Sequence, residues 1–200
     1  MNGFEKRTQE KKARVLQSAF DLINTSQGVA GLTMAAVAKA SGTAKATIFK
    51  YFESKEKLIQ QVFIDYMEDL GQQAEIMLAQ PMSFEEKLVT MAKLKVRHLE
   101  RVDQQFFVDM MDLYTQEDDP ELAAVMAAYT KRSYNLMLDL FHQGRKEGKI
   151  DLKYSDEFLM LYMEAMVRGV AAPEIYRQIN IHYTEDWTEM LMKSLAPKPR

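Results

Sequence analysis

Runs of apolar residues spaced three and four apart do most to limit how this chain can fold. The first run holds Leu16, Ala19, Phe20 and Ile23. This spacing places apolar side chains on one face of a helix, predicted from about Thr8 to Thr25. The pattern recurs through the 200 residues, and only eight Gly and five Pro interrupt it. We therefore predict an all-α fold of about nine helices with no strand.

Capping sequences show where several of these helices begin. Ser83 to Glu86 forms a capping box, in which a hydroxyl and a carboxylate satisfy free backbone amides. Asp119-Pro120-Glu121 combines a capping acid, a proline at the first helical position and an acid in the first turn. A long helix is predicted to open at Ser54 and to end before Pro81.

Several classes of function lack the residues that they require. The chain has no Cys, which excludes disulfides, Cys-ligated metals and thiol catalysis. Its three His are scattered, and no phosphate-binding loop, dinucleotide-binding turn or nucleophile elbow is present. We expect no enzyme activity, cofactor or metal. The charged N-terminus does not resemble a signal peptide, and no apolar run could span a membrane, so we expect a soluble cytoplasmic protein.

Charge is unevenly distributed along the chain. Residues 1–58 carry ten Lys and Arg against five acids, whereas the remainder carries sixteen against twenty-four. A basic N-terminal segment followed by an acidic remainder of the chain indicates that the N-terminal segment alone binds a polyanion. The alternative is that the surface charge is simply uneven.

A helix-turn-helix is predicted between Thr33 and Phe52. Thr33 suits the N-cap of a short helix, and Gly42 suits the left-handed residue that ends it. The second short helix covers about Ala44 to Tyr51. Ile48 and Phe52 would face inward, leaving a polar, basic and aromatic outer face. Such a second helix enters the major groove of DNA.

The segment from Arg14 to Val62 resembles the tetracycline-repressor (TetR) family of transcriptional regulators. The matching positions are Arg14-Val-Leu, Gly28, Leu32-Thr33, Val37-Ala38, Ser41-Gly42, Thr47-Ile-Phe-Lys-Tyr-Phe52 and Ser54-Lys-Glu56. The resemblance implies a homodimer with an N-terminal three-helix DNA-binding domain, residues 1–53. A larger C-terminal domain, residues 54–200, would bind a small-molecule effector and form the dimer. The implied function is a repressor that an apolar or amphipathic effector releases from a palindromic operator.

The resemblance also implies which residues contact the operator. They are Thr33, Lys45, Ala46, Thr47, Lys50, Tyr51 and Lys55. Thr33 would hold a phosphate, whereas Lys45 and Thr47 are the candidates for base edges. Two positions depart from the family pattern. Phe49 replaces a usual Tyr and so lacks its hydroxyl, and Thr43-Ala44 replaces the usual Val-Ser at the start of the helix.

The C-terminal region carries thirteen of the fifteen Met. Flexible Met side chains can line an adaptable apolar pocket, although most Met residues belong to ordinary core. The candidate pocket residues are Met91, His98, Phe107, Met110, Met111, Met126 and Met163. The last two long helices, about 155–172 and 184–195, have broad apolar faces. The resemblance implies that they pair with a second subunit.

Two other functions remain open. A helical carrier or sensor of apolar molecules would explain the Met-rich body, but it leaves the basic N-terminal segment unexplained. An architectural DNA binder would use the basic segment without sequence preference. Retention on heparin in rising salt would count against the carrier, and discrimination between its own promoter and random duplex would count against the architectural binder.

Overall fold

The computed structural model is helical, and it describes residues 3–114, 119–176, 178, 180 and 183–198. The helices are α1 (Gly3–Ile23), α2 (Met34–Ser41), α3 (Lys45–Phe52), α4 (Lys55–Leu78), α5 (Phe84–Leu99), α6 (Gln104–Tyr114), α7 (Pro120–Lys146), α8 (Asp156–Ala171), α9 (Pro173–Tyr176) and α10 (Tyr183–Leu195). A 3₁₀ turn, Gly28–Gly31, joins α1 to α2. Nine described helices have eight residues or more and no described residue forms a strand, which confirms the predicted all-α class.

The chain forms two compact units. The first unit contains Met1–Met67 and Val102–Gln116, and the second contains Glu68–Arg101 and Glu117–Arg200. Helix α4 contributes its first half to the first unit and its second half to the second, whereas α6 belongs to the first. The functional division at residue 53 stays a prediction. Among the described helices, none is long and apolar enough to cross a membrane.

The predicted caps are confirmed. The Thr33 hydroxyl accepts a hydrogen bond from the Ala36 amide at 3.1 Å, and Gly42 adopts the left-handed conformation at φ 61°. Both hydrogen bonds of the Ser83–Glu86 capping box are present. Asp119 accepts hydrogen bonds from two amides in the first turn of α7. These caps satisfy backbone donors that have no partner inside a helix, so they fix where each helix begins.

Helix α1 is longer at its N-terminus than the periodicity predicted. It begins at Gly3, five residues before Thr8, and ends at Ile23. Its buried apolar residues include Val15, Ala19 and Ile23, and no side chain that the structure describes in the first three turns is buried. Apolar periodicity therefore could not detect these turns.

Aromatic rings form the centre of the first unit. Phe106 of α6 is fully buried, and its ring lies 5.2 Å from Phe20 of α1, 5.0 Å from Phe63 of α4 and 5.2 Å from Tyr66 of α4. All three contacts are edge-to-face, the geometry that aromatic quadrupoles favour. One ring thus packs α6 against both α1 and α4.

The second unit has a separate aliphatic and aromatic core. Its buried residues are Phe84, Leu88, Leu140, Phe141, Ile150, Leu159 and Leu195. They come from α5, α7, α8, α10 and the loop after α7. Gly144 of α7 faces this core, where a Cβ atom would lie 2.8 Å from Ile150 Cδ1 and 2.9 Å from Phe84 Cδ2. A side chain at this position would therefore require Ile150 or Phe84 to shift.

Hydrogen-bonded polar side chains join the end of α7 to the start of α8. His142 Nε2 lies 2.9 Å from a carboxylate oxygen of Asp156, and Arg145 pairs with the other oxygen. Arg145 also donates to the Tyr154 carbonyl at 2.7 Å. The hydrogen bonds from His142 and Arg145 lower the pKa of Asp156, so its carboxylate stays charged near neutral pH.

We predict that Gly144→Ala destabilises the second unit. The added methyl group must displace Ile150 or Phe84, and such overpacking costs about 1–3 kcal/mol. Urea unfolding should show a lower midpoint with an unchanged slope. The double variant Gly144→Ala/Ile150→Val removes the nearest clashing atom and should recover part of the stability. Equal stability of Gly144→Ala and the parent would contradict the close approach.

Candidate nucleic-acid interface

Helices α2 and α3 are joined by a tight turn around Gly42. The left-handed conformation of Gly42 reverses the chain, and the Thr43 amide donates to the Ala38 carbonyl at 3.2 Å. Thr43 is buried, and its hydroxyl lies 3.4 Å from the Ser41 carbonyl oxygen. The turn therefore fixes the start of α3 relative to α2, as a helix-turn-helix requires.

Helix α3 has one buried face and one outer face. Ile48 and Phe52 are buried, as predicted from the sequence. On the outer face, the sequence-predicted residues Lys45, Ala46 and Lys50 are exposed, and Thr47 and Tyr51 are half-buried. No side chain caps α3, since Ala44 occupies the N-cap position. The first backbone amides of α3 thus remain free to bind an anion.

Two lysines lie over aromatic rings beside this outer face. Lys45 Nζ is 5.8 Å from the centre of the Phe49 ring, and Lys12 Nζ of α1 is 5.6 Å from the centre of the Tyr51 ring. Both distances fall within cation–π range. Phe49 is 38% exposed, so it presents an apolar edge where the family pattern has a phenol. No pattern in the sequence indicates that Lys12 approaches α3.

The junction between α3 and α4 contains a strained residue. Glu53 has φ 65° and ψ −52°, and the Ser54 amide donates to the Phe52 carbonyl at 2.7 Å. These features define a γ-turn of the rare, strained class. Ser54 then caps α4 by accepting from the Lys57 amide at 3.0 Å. Lys55, the last predicted contact residue, is half-buried at the start of α4.

Helix α6 holds the turn between α1 and α2 through two hydrogen bonds. An Asp109 carboxylate oxygen accepts from the Val29 amide at 2.7 Å, and the Asn24 side-chain oxygen accepts from the Asp103 amide at 2.6 Å. A Cβ atom at Gly28 would lie 2.0 Å from the same Asp109 oxygen, and Gly28 has φ 54°. Gly28 therefore permits this approach. Sequence reasoning placed α6 in the regulatory region and missed these contacts.

The seven predicted pocket residues are divided between the two units. Phe107, Met110 and Met111 lie on α6 in the first unit, and the other four lie in the second. Met91 and Met163 pack against the core of the second unit, and Met126 and His98 are buried. Burial lowers the pKa of His98, which favours its neutral form. Their grouping into one pocket stays a prediction.

A shallow groove of about 230 Å³ lies on the second unit. Gln73, Ile76, Met77, Thr90, Leu94 and Arg97 line it. This volume is below the range of about 300–1,000 Å³ that is typical of small-molecule pockets, and none of the predicted pocket residues lines it. Across the described residues, no group of three or more His, Asp or Glu is placed to hold a metal ion.

We predict that Glu53→Gly raises the free energy of unfolding by about 1 kcal/mol. Backbone strain of this kind costs about 1–3 kcal/mol, and glycine relieves it while adding some entropy to the unfolded chain. Glu53→Ala is the matched control, because it removes the same carboxylate but cannot relax a positive φ. If alanine stabilises the protein as much as glycine does, the effect comes from charge and not from the backbone.

Comparison with known proteins agrees with this geometry. Residues 15–62 match the family model described as bacterial regulatory proteins, tetR family. The structure of the transcriptional regulator FadR from Bacillus subtilis, solved with stearoyl-CoA, is similar with a TM-score of 0.70 and 18% identity, covering 90% of this chain and 97% of that chain.

Two further solved structures are similar at 18% identity. FadR from Bacillus halodurans has a TM-score of 0.71, with 94% of this chain and 97% of that chain covered. The TetR-family regulator PfmR from Thermus thermophilus has a TM-score of 0.67, with 93% and 100% covered. Comparison with curated proteins finds no match. The resemblance inferred from the sequence is thereby confirmed: residues 15–62 match the tetR family of bacterial regulatory proteins, and the chain shares the all-helical fold of these solved transcriptional regulators.

Proposed function

We propose that this protein is a repressor that binds a palindromic operator as a homodimer and releases it when an amphipathic effector binds. The observation that carries the proposal is the outer face of α3. Exposed Lys45 and Lys50 lie with Phe49 and Tyr51 on a short helix whose opposite face is packed. A rigid helix with exposed donors is what base recognition in the major groove requires.

Each contact has a proposed role. Lys45 donates to guanine O6 and N7, and the methyl group of Thr47 packs against a thymine methyl. Lys50, Tyr51 and Lys55 contact phosphates and set the register, while Ala46 allows close approach of the helix. Thr33 keeps its hydroxyl proton for a phosphate, because its oxygen acts as the acceptor in the N-cap.

The proposed dimer uses α8 and α10 of the second unit. Five large apolar side chains of α8 are 37–66% exposed, namely Phe158, Leu161, Tyr162, Met166 and Val167. Met190 of α10 is 66% exposed. A concentration of exposed apolar groups on one helix is characteristic of an interaction surface. We assign the second copy of the chain to this surface, and residues 54–200 to dimer formation and effector binding.

For the effector we propose a long-chain acyl-CoA. The Bacillus subtilis FadR of similar fold was solved with stearoyl-CoA, and the body of this chain is rich in Met. We further propose that α4 carries the signal, since this one helix of 24 residues, about 36 Å long, belongs to both units. We expect the protein to act in the cytoplasm, where the operator lies.

The first test is selection of bound duplexes from a random-sequence pool by the full-length protein. We expect a palindromic consensus whose half-sites are about 34–36 Å apart, as two-fold symmetry imposes. Lys45→Ala and Tyr51→Phe should then weaken binding to the consensus, with a cost of about 1–3 kcal/mol wherever the removed group reads a base. Lys93→Ala, an exposed lysine on α5, is the control and should bind like the parent. Binding without enrichment would support an architectural binder, and no binding would support an apolar carrier.

The second test uses stearoyl-CoA on the complex with the selected duplex. We expect stearoyl-CoA to weaken DNA binding about 5–150-fold, the usual range of allosteric coupling, and CoA alone to leave it unchanged. Replacing exposed Asp69 and Gln72 of α4 by Gly should loosen the helix and reduce this response while DNA binding persists. The matched Ala pair removes the same side chains and should respond normally. A full response in the Gly pair would exclude α4 as the carrier of the signal.

A further inference from the structure

Helix α6 supplies a carboxylate to the turn that leads into α2, within the first unit. Both oxygens of Asp109 accept hydrogen bonds at 2.7 Å, one from the Val29 amide and the other from the Gln105 side chain. Val29 belongs to the 3₁₀ turn Gly28–Gly31, which precedes Thr33, the N-cap of α2. A single side chain of α6 therefore holds the backbone from which α2 starts.

The contact has little room for adjustment. Gly28 has φ 54°, and a Cβ atom there would lie 2.0 Å from the same Asp109 oxygen that accepts from the Val29 amide. A second hydrogen bond, from the Asp103 amide to the Asn24 side chain at 2.6 Å, ties the start of α6 to the end of α1. Hydrogen bonds have defined geometry, so these two contacts fix where the turn lies along α6.

Asp109 lies outside the segment that matches the tetR family. That segment ends at residue 62, whereas α6 begins at Gln104. Within the described part of the chain, no basic side chain forms an ion pair with Asp109. Its carboxylate serves as a hydrogen-bond acceptor, and the amide that it holds belongs to the matched segment.

The turn determines where the two following helices lie. Leu32, directly after the turn, is buried, and its amide donates to the Val29 carbonyl at 3.3 Å. Helix α2 packs against both α1 and α3, and the turn around Gly42 fixes the start of α3 relative to α2. A displacement of Val29 therefore moves α2 and, with it, the outer face of α3.

We propose that Asp109 is a positioning residue for operator recognition, which orients the recognition helix α3 without touching DNA. This inference rests on the proposed function and adds to it a residue from outside the matched segment. Base edges are read by hydrogen bonds that depend on orientation, whereas attraction to phosphates is largely electrostatic. Loss of the Asp109 acceptor should therefore weaken binding to the operator more than binding to random duplex.

The ratio of these two affinities separates positioning from a merely structural role. A partly unfolded variant has less active protein, which lowers its apparent affinity for the operator and for random duplex by the same factor. Removal of one negative charge also affects both duplexes alike, because it acts through their phosphates. A change in the placement of α3, in contrast, lowers the preference for operator over random duplex.

The test uses full-length variants that each lose one negative charge. Asp109→Ala removes the acceptor. Asp109→Asn keeps an oxygen that can accept from the Val29 amide, and Gln105 can turn its own amide over to accept from the new NH₂ group. The control is Asp21→Ala on α1, because exposed Asp21 accepts from the Gln17 side chain at 2.8 Å with the same spacing of four residues.

Affinities for the selected operator and for a random duplex are measured at one salt concentration, and circular dichroism verifies the fold of each variant. We expect Asp109→Ala to lower the preference for operator at least about 5-fold, the lower end of what one good base contact contributes. Asp109→Asn and Asp21→Ala should keep a preference close to that of the parent.

An unchanged preference in Asp109→Ala overturns the inference and leaves the proposed function intact. An equal loss in Asp109→Asn also overturns it, because the acceptor would then not be what matters. If Asp109→Ala does not fold, Asp109→Glu decides. It keeps a charged acceptor, but the added methylene displaces a carboxylate that Gly28 already approaches closely, so the preference should fall. A preference equal to that of the parent in this variant overturns the inference. Failure of the parent to prefer any selected sequence overturns the proposed function, and the inference with it.

Discussion

Burial of the Phe106 ring is the interaction on which the geometry of the first unit depends. Phe20, Phe63 and Tyr66 each meet this ring at 5.0–5.2 Å, so α1, α4 and α6 share one fully buried contact. Close-packed rings tolerate few alternative arrangements, because a shift of one ring opens a void beside the others. Helix α3 packs on α1 and precedes α4 by two residues. The orientation of the outer face of α3 therefore depends on the packing around Phe106.

Polar contacts add directional constraints to the helix arrangement that the aromatic core establishes. Asp109 accepts hydrogen bonds from the Val29 amide and from the Gln105 side chain, both at 2.7 Å, while the left-handed Gly28 makes room for its carboxylate. Apolar packing is non-directional, whereas a carboxylate hydrogen bond has defined geometry. Helix α6 thus determines the position of the turn that precedes α2, although Asp109 lies 80 residues beyond Val29 along the chain. Any movement of α6 must break these bonds or move that turn.

The sequence predicted the features that depend on neighbouring residues. The caps at Thr33, Ser83 and Asp119 and the inward Ile48 followed from local chemistry and periodicity. It did not predict the early start of α1, because exposed charged turns have no apolar period. It also missed the Asp109 and Lys12 contacts, since residues distant in sequence form them. The position of the Met-rich pocket could not be predicted for a related reason, because Met side chains are equally suited to a protein core and to a ligand pocket.

The γ-turn at Glu53 suggests why a strained residue persists between α3 and α4. A helical residue there would continue α3 directly into α4, and Lys55 would no longer begin a separately capped helix. The break therefore creates a second helix start close to the recognition helix, with Ser54 as its cap. Glu56 in the same first turn has a pKa lowered by its own backbone amide and the Ser54 hydroxyl, so this carboxylate stays charged. The strained backbone at Glu53 therefore allows α4, the helix that both units share, to be oriented independently of α3.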